Sequence, residues 1–193
     1  IRFAIFLAVF LLMLGLEYII QRHPTVDVKT RRLKINLALT GIDILVVRLF
    51  FGAAAVGAAQ FAGERGWGLF NYLQWPEGLE TLFCVVFLDL MIYIQHVVMH
   101  MVPFFWRFHV VHHSDLDLDV SSGLRFHPIE ILVSMLYKLG LVFALGPSAM
   151  TVLIFEAILN GMSQFSHSNI TLPESLDRLL RYVIVTPDMH RIH

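Results

Sequence analysis

Histidines are the residues of this sequence whose types and spacing point most clearly to chemistry. The chain of 193 residues contains ten of them, and seven lie in three short clusters. The clusters read QHVVMH, FHVVHH and TPDMHRIH, with histidines at His96, His100, His109, His112, His113, His190 and His193. Residues three or four apart share one face of an α-helix. Each cluster therefore predicts imidazoles that reach one metal ion, although imidazole binds iron, zinc and copper alike.

The first cluster has a carboxylate and a phenol on the same predicted helix. Asp89 precedes His96 by seven residues and Tyr93 precedes it by three. At about 100° per residue, Asp89, His96 and His100 form one stripe, with Tyr93 close by. We expect Asp89 to accept the second N–H of a ligand imidazole and fix its tautomer. Asp89 and Tyr93 are therefore predicted to be functional residues.

Helix-starting signals precede the other two clusters. Pro103 predicts the start of a short helix that carries all three histidines of FHVVHH on one face. Thr186 is a predicted N-cap, with Pro187 at the first helical position, so His190 and His193 fall on the following turn.

Two further histidines, His127 in LRFHPIE and His167 in QFSHSN, are candidate ligands outside the clusters. His23 lies in a basic loop and is predicted to be a surface residue. The nine histidines from His96 to His193 are too many for one zinc ion, which takes about four ligands. We therefore predict two metal ions.

The composition places these residues in a membrane protein. Hydrophobic residues make up 57% of the chain and charged residues 15%, against about 45–50% and about 25% in soluble domains. A helix crosses a bilayer with about 20 apolar residues, and the stretches 1–20, 36–62 and 79–100 satisfy this length. The apolar stretch 129–162 is divided by Gly146-Pro147 and predicts a helical hairpin that enters and returns. The predicted fold is all-α, with about three transmembrane helices plus this hairpin and a histidine-rich helical cap that faces the cytosol.

Loop charges predict the orientation. Five Lys and Arg residues lie in 21–35, whereas 63–78 contains only Arg65. The positive-inside rule places the first loop in the cytoplasm, so every histidine from His96 onward is expected at the cytoplasmic face. We expect residues 1–193 to form a single membrane domain, a fragment cut within the last histidine cluster. Three alternating aspartates, Asp115, Asp117 and Asp119, are expected to lie in a solvated loop.

Other sequence features exclude some classes of protein. The net charge of −1 gives no reason to expect nucleic acid as a partner. Cys84 is the one cysteine, which excludes an intramolecular disulfide and a cysteine zinc site. HVVMH lacks the glutamate of the zinc-protease HExxH pattern. A non-enzymatic metal transporter and a haem-carrying electron-transfer subunit remain as alternatives to an enzyme.

The order and spacing of these motifs resemble the fatty acid hydroxylase/sterol desaturase superfamily, whose members carry HxxxH, HxxHH and HxxHH on a helical membrane scaffold. The resemblance covers about residues 30–193 and extends to SSGLRFHPIE and FSHSNITLP. Two positions depart from the pattern. Val97 stands where the family often has arginine, and the last cluster stops at His193, where we expect a further histidine to follow.

The resemblance implies a non-haem centre of two iron ions that uses O2 to hydroxylate or desaturate a lipid of sterol, fatty acyl or alkylglycerol type. It also implies a multi-pass protein of the bilayer with its active site on the cytoplasmic face. No haem-binding module or Rossmann glycine motif is visible in the sequence, so a separate electron donor, a reductase with cytochrome or ferredoxin, is implied. Hydroxylases and desaturases share these residues, and the sequence does not separate them.

Overall fold

The fold is all-helical, as predicted. The structure, a computed structural model, describes residues 2–52 and 54–193. The α-helices are α1 (Arg2–Ile19), α2 (Lys29–Phe51), α3 (Ala54–Arg65), α4 (Leu69–Leu73), α5 (Glu77–Met101), α6 (Pro103–His109), α7 (Pro128–Leu145), α8 (Ala149–His167), α9 (Glu174–Leu180) and α10 (Pro187–Arg191). Two 3₁₀ turns cover His112–Ser114 and Ser122–Leu124. Within the described ranges there is no β-strand, only an isolated bridge between Gln21 and Ile170.

Among the described residues, three helical stretches are long and apolar enough to cross a membrane. They are Lys29–Leu73, which contains α2 to α4, then Glu77–Met101 and Pro128–Leu145. The apolar part of α1, Phe3–Ile19, is shorter. The predicted membrane-spanning stretch 36–62 lies within the first of these segments. In this segment α2 ends at Phe51, and the next residue, Gly52, has a left-handed φ of 55°. Only glycine adopts such a φ at little cost.

The predicted helical hairpin over 129–162 corresponds to α7 and α8. Gly146 caps α7 in the left-handed conformation with φ 66°, and α8 begins three residues later. A Cβ added to Gly68 would lie 2.3 Å from the backbone nitrogen of Gly146, and Asn71 donates a hydrogen bond to the Gly146 carbonyl. This close approach of two backbones requires glycine at both positions.

The described chain divides into two compact units. The first comprises the residues up to Thr40 with Val111–Arg125 and Ala157–His193, and the second comprises Gly41–Val110 with Phe126–Glu156. Each unit contains one group of histidines. That residues 1–193 form a single domain stays a prediction.

The two units have different interiors. In the second unit, small residues let the helices pack closely, with Ala55 and Ala59 of α3 against Val142 of α7 and Val152 of α8. The first unit instead buries many polar side chains, among them Glu17, Arg32, Asn36, Asp119, Gln164, His167 and Asn169. Buried polar groups usually find hydrogen-bond partners, and in this unit the Arg125 carbonyl and the Ser122 hydroxyl are partners of two histidine rings.

Candidate metal centre

In the first unit, three histidines from separate parts of the chain come together. The ligand atoms of His112, His167 and His190 all lie within 4.8 Å of one another. His112 and His167 are buried, and His190 is half-buried. The rings of His113 and His193 lie 5.1 Å apart, and His190 and His193 are separated by the same distance. The lone histidine His167 thus joins residues from the second and third clusters.

Hydrogen bonds orient two of these rings. His112 Nδ1 lies 3.1 Å from the Arg125 carbonyl, which can only accept, so this nitrogen must carry the proton. His167 Nδ1 lies 3.2 Å from Ser122 Oγ, and the Ser122 hydroxyl donates to the Asp119 carbonyl, so Nδ1 donates here as well. In a neutral imidazole with the proton on Nδ1, Nε2 is the nitrogen that can act as a metal ligand.

Close packing also fixes His167. A Cβ added to Gly123 would lie 3.0 Å from Cγ and 3.1 Å from Cδ2 of His167. The imidazole therefore lies directly against the glycine backbone, and no larger residue fits without moving the ring.

Two residues hold the loops that carry the histidines. Arg125 donates to the Val111 carbonyl and to Asn36 Oδ1, which ties the segment after His112 to α2. Glu17, buried at the end of α1, accepts hydrogen bonds from the backbone N–H groups of Val120 at 2.7 Å and Asn169 at 3.0 Å.

Lys29 forms an ion pair with the other oxygen of Glu17 at 2.8 Å. Glu17 therefore supplies acceptors to both histidine-bearing loops while its own charge is balanced. Sequence reasoning missed it, although a glutamate at the end of an otherwise apolar helix was a visible signal.

The expectation of a solvated aspartate loop was wrong. Arg32, which is 2% exposed, forms ion pairs with Asp115 at 2.6 Å, Asp119 at 2.8 Å and Asp117 at 3.4 Å. Burial alone would raise the pKa of Asp115, but hydrogen bonds from Arg32 and Asn36 and the charge of Arg32 outweigh it and lower the pKa. The three carboxylates are thus a buried ionic network.

A cavity of about 230 Å³ adjoins this network and the histidines. Its lining includes His112, His113, His167, His190, His193 and Asp117. Five imidazoles that face one cavity form a nitrogen donor set suited to a transition metal such as iron, zinc or copper. The donor set thus fits a metal ion.

In the second unit, three more imidazoles form a compact group. The His109 ring lies 4.7 Å from the ring of His96 and 4.8 Å from that of His100. The Nε2 atoms of His96 and His100 are 3.3 Å apart, as their spacing on one helical face predicted. Glu130 Oε1 lies 2.6 Å from His109 Nδ1, the carboxylate–histidine pattern that often supports a metal ligand.

The second cluster does not lie on one helix. Pro103 starts α6 as predicted, but α6 ends at His109, and His112 and His113 belong to a 3₁₀ turn. The prediction that one helical face carries all three histidines was therefore wrong. In the third cluster, Thr186 caps α10 by accepting from the backbone of Met189, with Pro187 at the start of the helix, as predicted.

Asp89, Tyr93 and His127 are the three other residues with predicted roles in the site. Asp89 and Tyr93 are on an exposed part of α5, where Tyr93 is 62% exposed. The carboxylate that contacts a histidine of the second unit is instead that of Glu130. It was not predicted from the sequence, although a single acidic residue at the start of an apolar helix is a visible signal. His127 caps α7, because its Nδ1 accepts from the backbone N–H of Ile129. The site roles of Asp89, Tyr93 and His127 stay predictions.

The described chain combines helical segments long and apolar enough to cross a membrane with two histidine groups that could each hold a metal ion. Residues 81–193, more than half of the chain, match the family model described as fatty acid hydroxylase. The chain therefore belongs to the fatty acid hydroxylase family, which confirms the resemblance seen in its sequence.

Curated relatives agree with this family. The chain is similar to the alkylglycerol monooxygenase of Caenorhabditis elegans, with 27% identity over 84% of the chain and 32% of the relative. It is also similar to the ornithine lipid hydroxylase OlsE of Rhizobium tropici (28% identity, 62% of the chain, 35% of the relative) and to human cholesterol 25-hydroxylase (30%, 59% and 44%). The chain thus spans between a third and a half of the length of these relatives. No solved structure matched it significantly.

Proposed function

We propose that this chain is the membrane domain of an iron-dependent enzyme that uses O2 to hydroxylate a lipid. The observation that carries the proposal is the pair of buried imidazoles, His112 and His167, whose Nδ1 atoms donate to protein oxygens while they line a cavity shared with three further histidines. The three relatives are named for hydroxylation or monooxygenation of lipids. Their names favour hydroxylation over desaturation.

Each histidine group would hold one iron ion. In the first unit the ligands would be drawn from His112, His113, His167, His190 and His193, and in the second from His96, His100 and His109. When bound, iron supplies the O2-activating chemistry that attack on an unactivated C–H bond requires. Iron is preferred over zinc or copper because of the family, since the donor set admits all three.

The protein residues would orient the ligands and control access. Ser122 Oγ and the Arg125 carbonyl accept hydrogen bonds from the Nδ1 atoms of His167 and His112, so Nε2 is the nitrogen of each ring that would bind iron. The buried ion pairs of Arg32 fix the aspartates of the segment that follows His113, and two of these, Asp115 and Asp117, line the same cavity. Apolar α5 and α7 would border the acyl or sterol chain of the substrate.

We also propose the cellular setting. The excess of basic residues in 21–35 supports a cytoplasmic position for that loop, and the histidine-bearing segments would lie at the same face. A separate reductase with cytochrome or ferredoxin would supply electrons there, while the substrate enters from the bilayer.

Metal analysis tests the proposal. The product of the complete gene is purified in native lipids, and its iron content and optical spectrum are measured for the wild type and for His112→Ala. We expect about two iron ions per chain, no haem absorption, and loss of iron and turnover in His112→Ala with membrane insertion intact. His23→Ala, a change at an exposed histidine outside both groups, is the matched control. A haem spectrum, or a wild type that retains no metal, would favour the electron-transfer or transporter alternative.

A further inference from the structure

Glu130 is a buried acid whose ion-pair partner among the described residues is the imidazole of His109. It lies in the first turn of α7, after Pro128 at the helix start, and is 4% exposed. Its Oε1 contacts His109, while Oε2 has no hydrogen-bond partner among the described residues. The position near a helix N-terminus favours a negative charge, but one neutral imidazole does not balance a buried carboxylate.

Asp43 of α2 is a second buried acid, and its Oδ1 has no hydrogen-bond partner among the described residues. Burying a carboxylate is costly unless a positive charge compensates it. A cation bound by the imidazoles next to Glu130 would supply that charge.

The geometry at His109 determines which nitrogen would bind the cation. Glu130 Oε1 is 2.6 Å from Nδ1, so the Nδ1 proton points to the carboxylate. The ring is 1% exposed, so it is packed on all sides. With Nδ1 protonated and the ring neutral, Nε2 keeps its lone pair and lies in the group formed with His96 and His100.

We propose that Glu130 is a positioning residue, which holds the His109 ring with Nε2 presented to a metal ion and balances part of the charge of that ion. The proposal rests on the proposed function, since it deepens the assignment of the second histidine group. The competing explanation is a purely structural contact, in which Glu130 and His109 stabilise the fold and hold no metal ion.

Variants at Glu130 distinguish these explanations. The product of the complete gene is prepared without iron, and Fe(II) affinity is measured by competition with a coloured chelator for the wild type, Glu130→Gln and Glu130→Ala. Loss of the partner of a metal-bound histidine typically costs about 10–100-fold in affinity. We expect Glu130→Ala to lose this much at one of the two sites. Glu130→Gln should lose less, because its amide oxygen still accepts the Nδ1 proton.

The matched control is Glu156→Gln, a buried glutamate of the same unit that pairs with Lys138. We expect this control to change iron affinity by less than about twofold. Thermal unfolding of the iron-free proteins provides a second readout, in which a positioning role leaves Glu130→Gln close to the wild type.

The outcomes separate the two proposals. Unchanged iron affinity in Glu130→Ala, or in Glu130→Gln if the alanine variant does not fold, would overturn the role of Glu130. The same conclusion follows if unfolding temperatures fall while affinity stays constant. A wild type that binds no iron would instead overturn the proposed function itself.

Discussion

The Gly123→Ala substitution tests whether the position of His167 matters. The added Cβ would lie 3.0–3.2 Å from three atoms of His167, whereas carbon atoms in contact prefer about 3.5–4.0 Å. The imidazole must therefore retreat by about 0.5 Å. It is 4% exposed and hydrogen-bonded to Ser122, so it has little space to do so.

Two costs follow from this displacement. Overpacking of a dense interior costs about 1–3 kcal/mol in the free energy of unfolding. A ligand shift of about 0.5 Å also exceeds the tolerance of about 0.2 Å for metal–ligand distances. We expect iron affinity to fall by at least about tenfold, which equals about 1.4 kcal/mol of binding free energy.

The assay compares Gly123→Ala with Gly161→Ala. Gly161 lies on α8, the helix that carries His167, and an added Cβ there has nothing within 4 Å. Alanine at Gly161 should leave iron binding intact and stabilise the helix by up to about 1 kcal/mol. Iron content and thermal unfolding are measured for both. A Gly123→Ala protein with wild-type iron affinity would refute the inference that His167 is a tightly packed ligand.

Three further substitutions test the surroundings of the site. Glu17→Ala should leave the buried N–H groups of Val120 and Asn169 without acceptors, at a cost of about 1–3 kcal/mol each, and chemical unfolding that shows no loss of stability would count against this role. Folding lowers the pKa of Asp115. The ionised Asp115 carboxylate therefore stabilises the folded protein at any pH above the pKa of an unfolded aspartate, and this stabilisation is lost as the pH falls through the lower pKa of the folded state. The stability difference between wild type and Asp115→Asn should therefore be present at neutral pH and shrink in acid, and a pH-independent difference in thermal unfolding would contradict this. His127→Asn keeps an N-cap side chain and should retain helix stability and iron, whereas loss of iron in this variant would support His127 as a ligand.

Short-range patterns predicted the parts of the fold that depend on near neighbours. The membrane-length helix over 77–101, the proximity of His96 and His100, and the Thr186 cap all depend on residues within one or two turns. Such contacts can be derived from helical geometry alone. In the first unit, residues of the second and third histidine clusters lie close together only because of the tertiary structure, so this proximity could not be predicted from short-range patterns.

Contacts between distant residues could not be predicted in this way. Glu17 contacts Asn169, 152 positions away, and Arg32 neutralises Asp115, 83 positions away. A run of aspartates predicts a solvated loop unless the position of its cation is known. The helix break at Gly52 was missed because the run of apolar residues continues across it.

The central claim is that this chain, in its complete protein, inserts oxygen from O2 into a lipid. The most direct measurement supplies isotopically heavy O2 to membranes that contain the protein and its electron donor, and follows the lipids by mass spectrometry. We predict a product that carries one heavy oxygen atom and that is absent from His112→Ala membranes. A product that lacks two hydrogens and contains no label, or an oxygen atom derived from water, would contradict hydroxylation by O2.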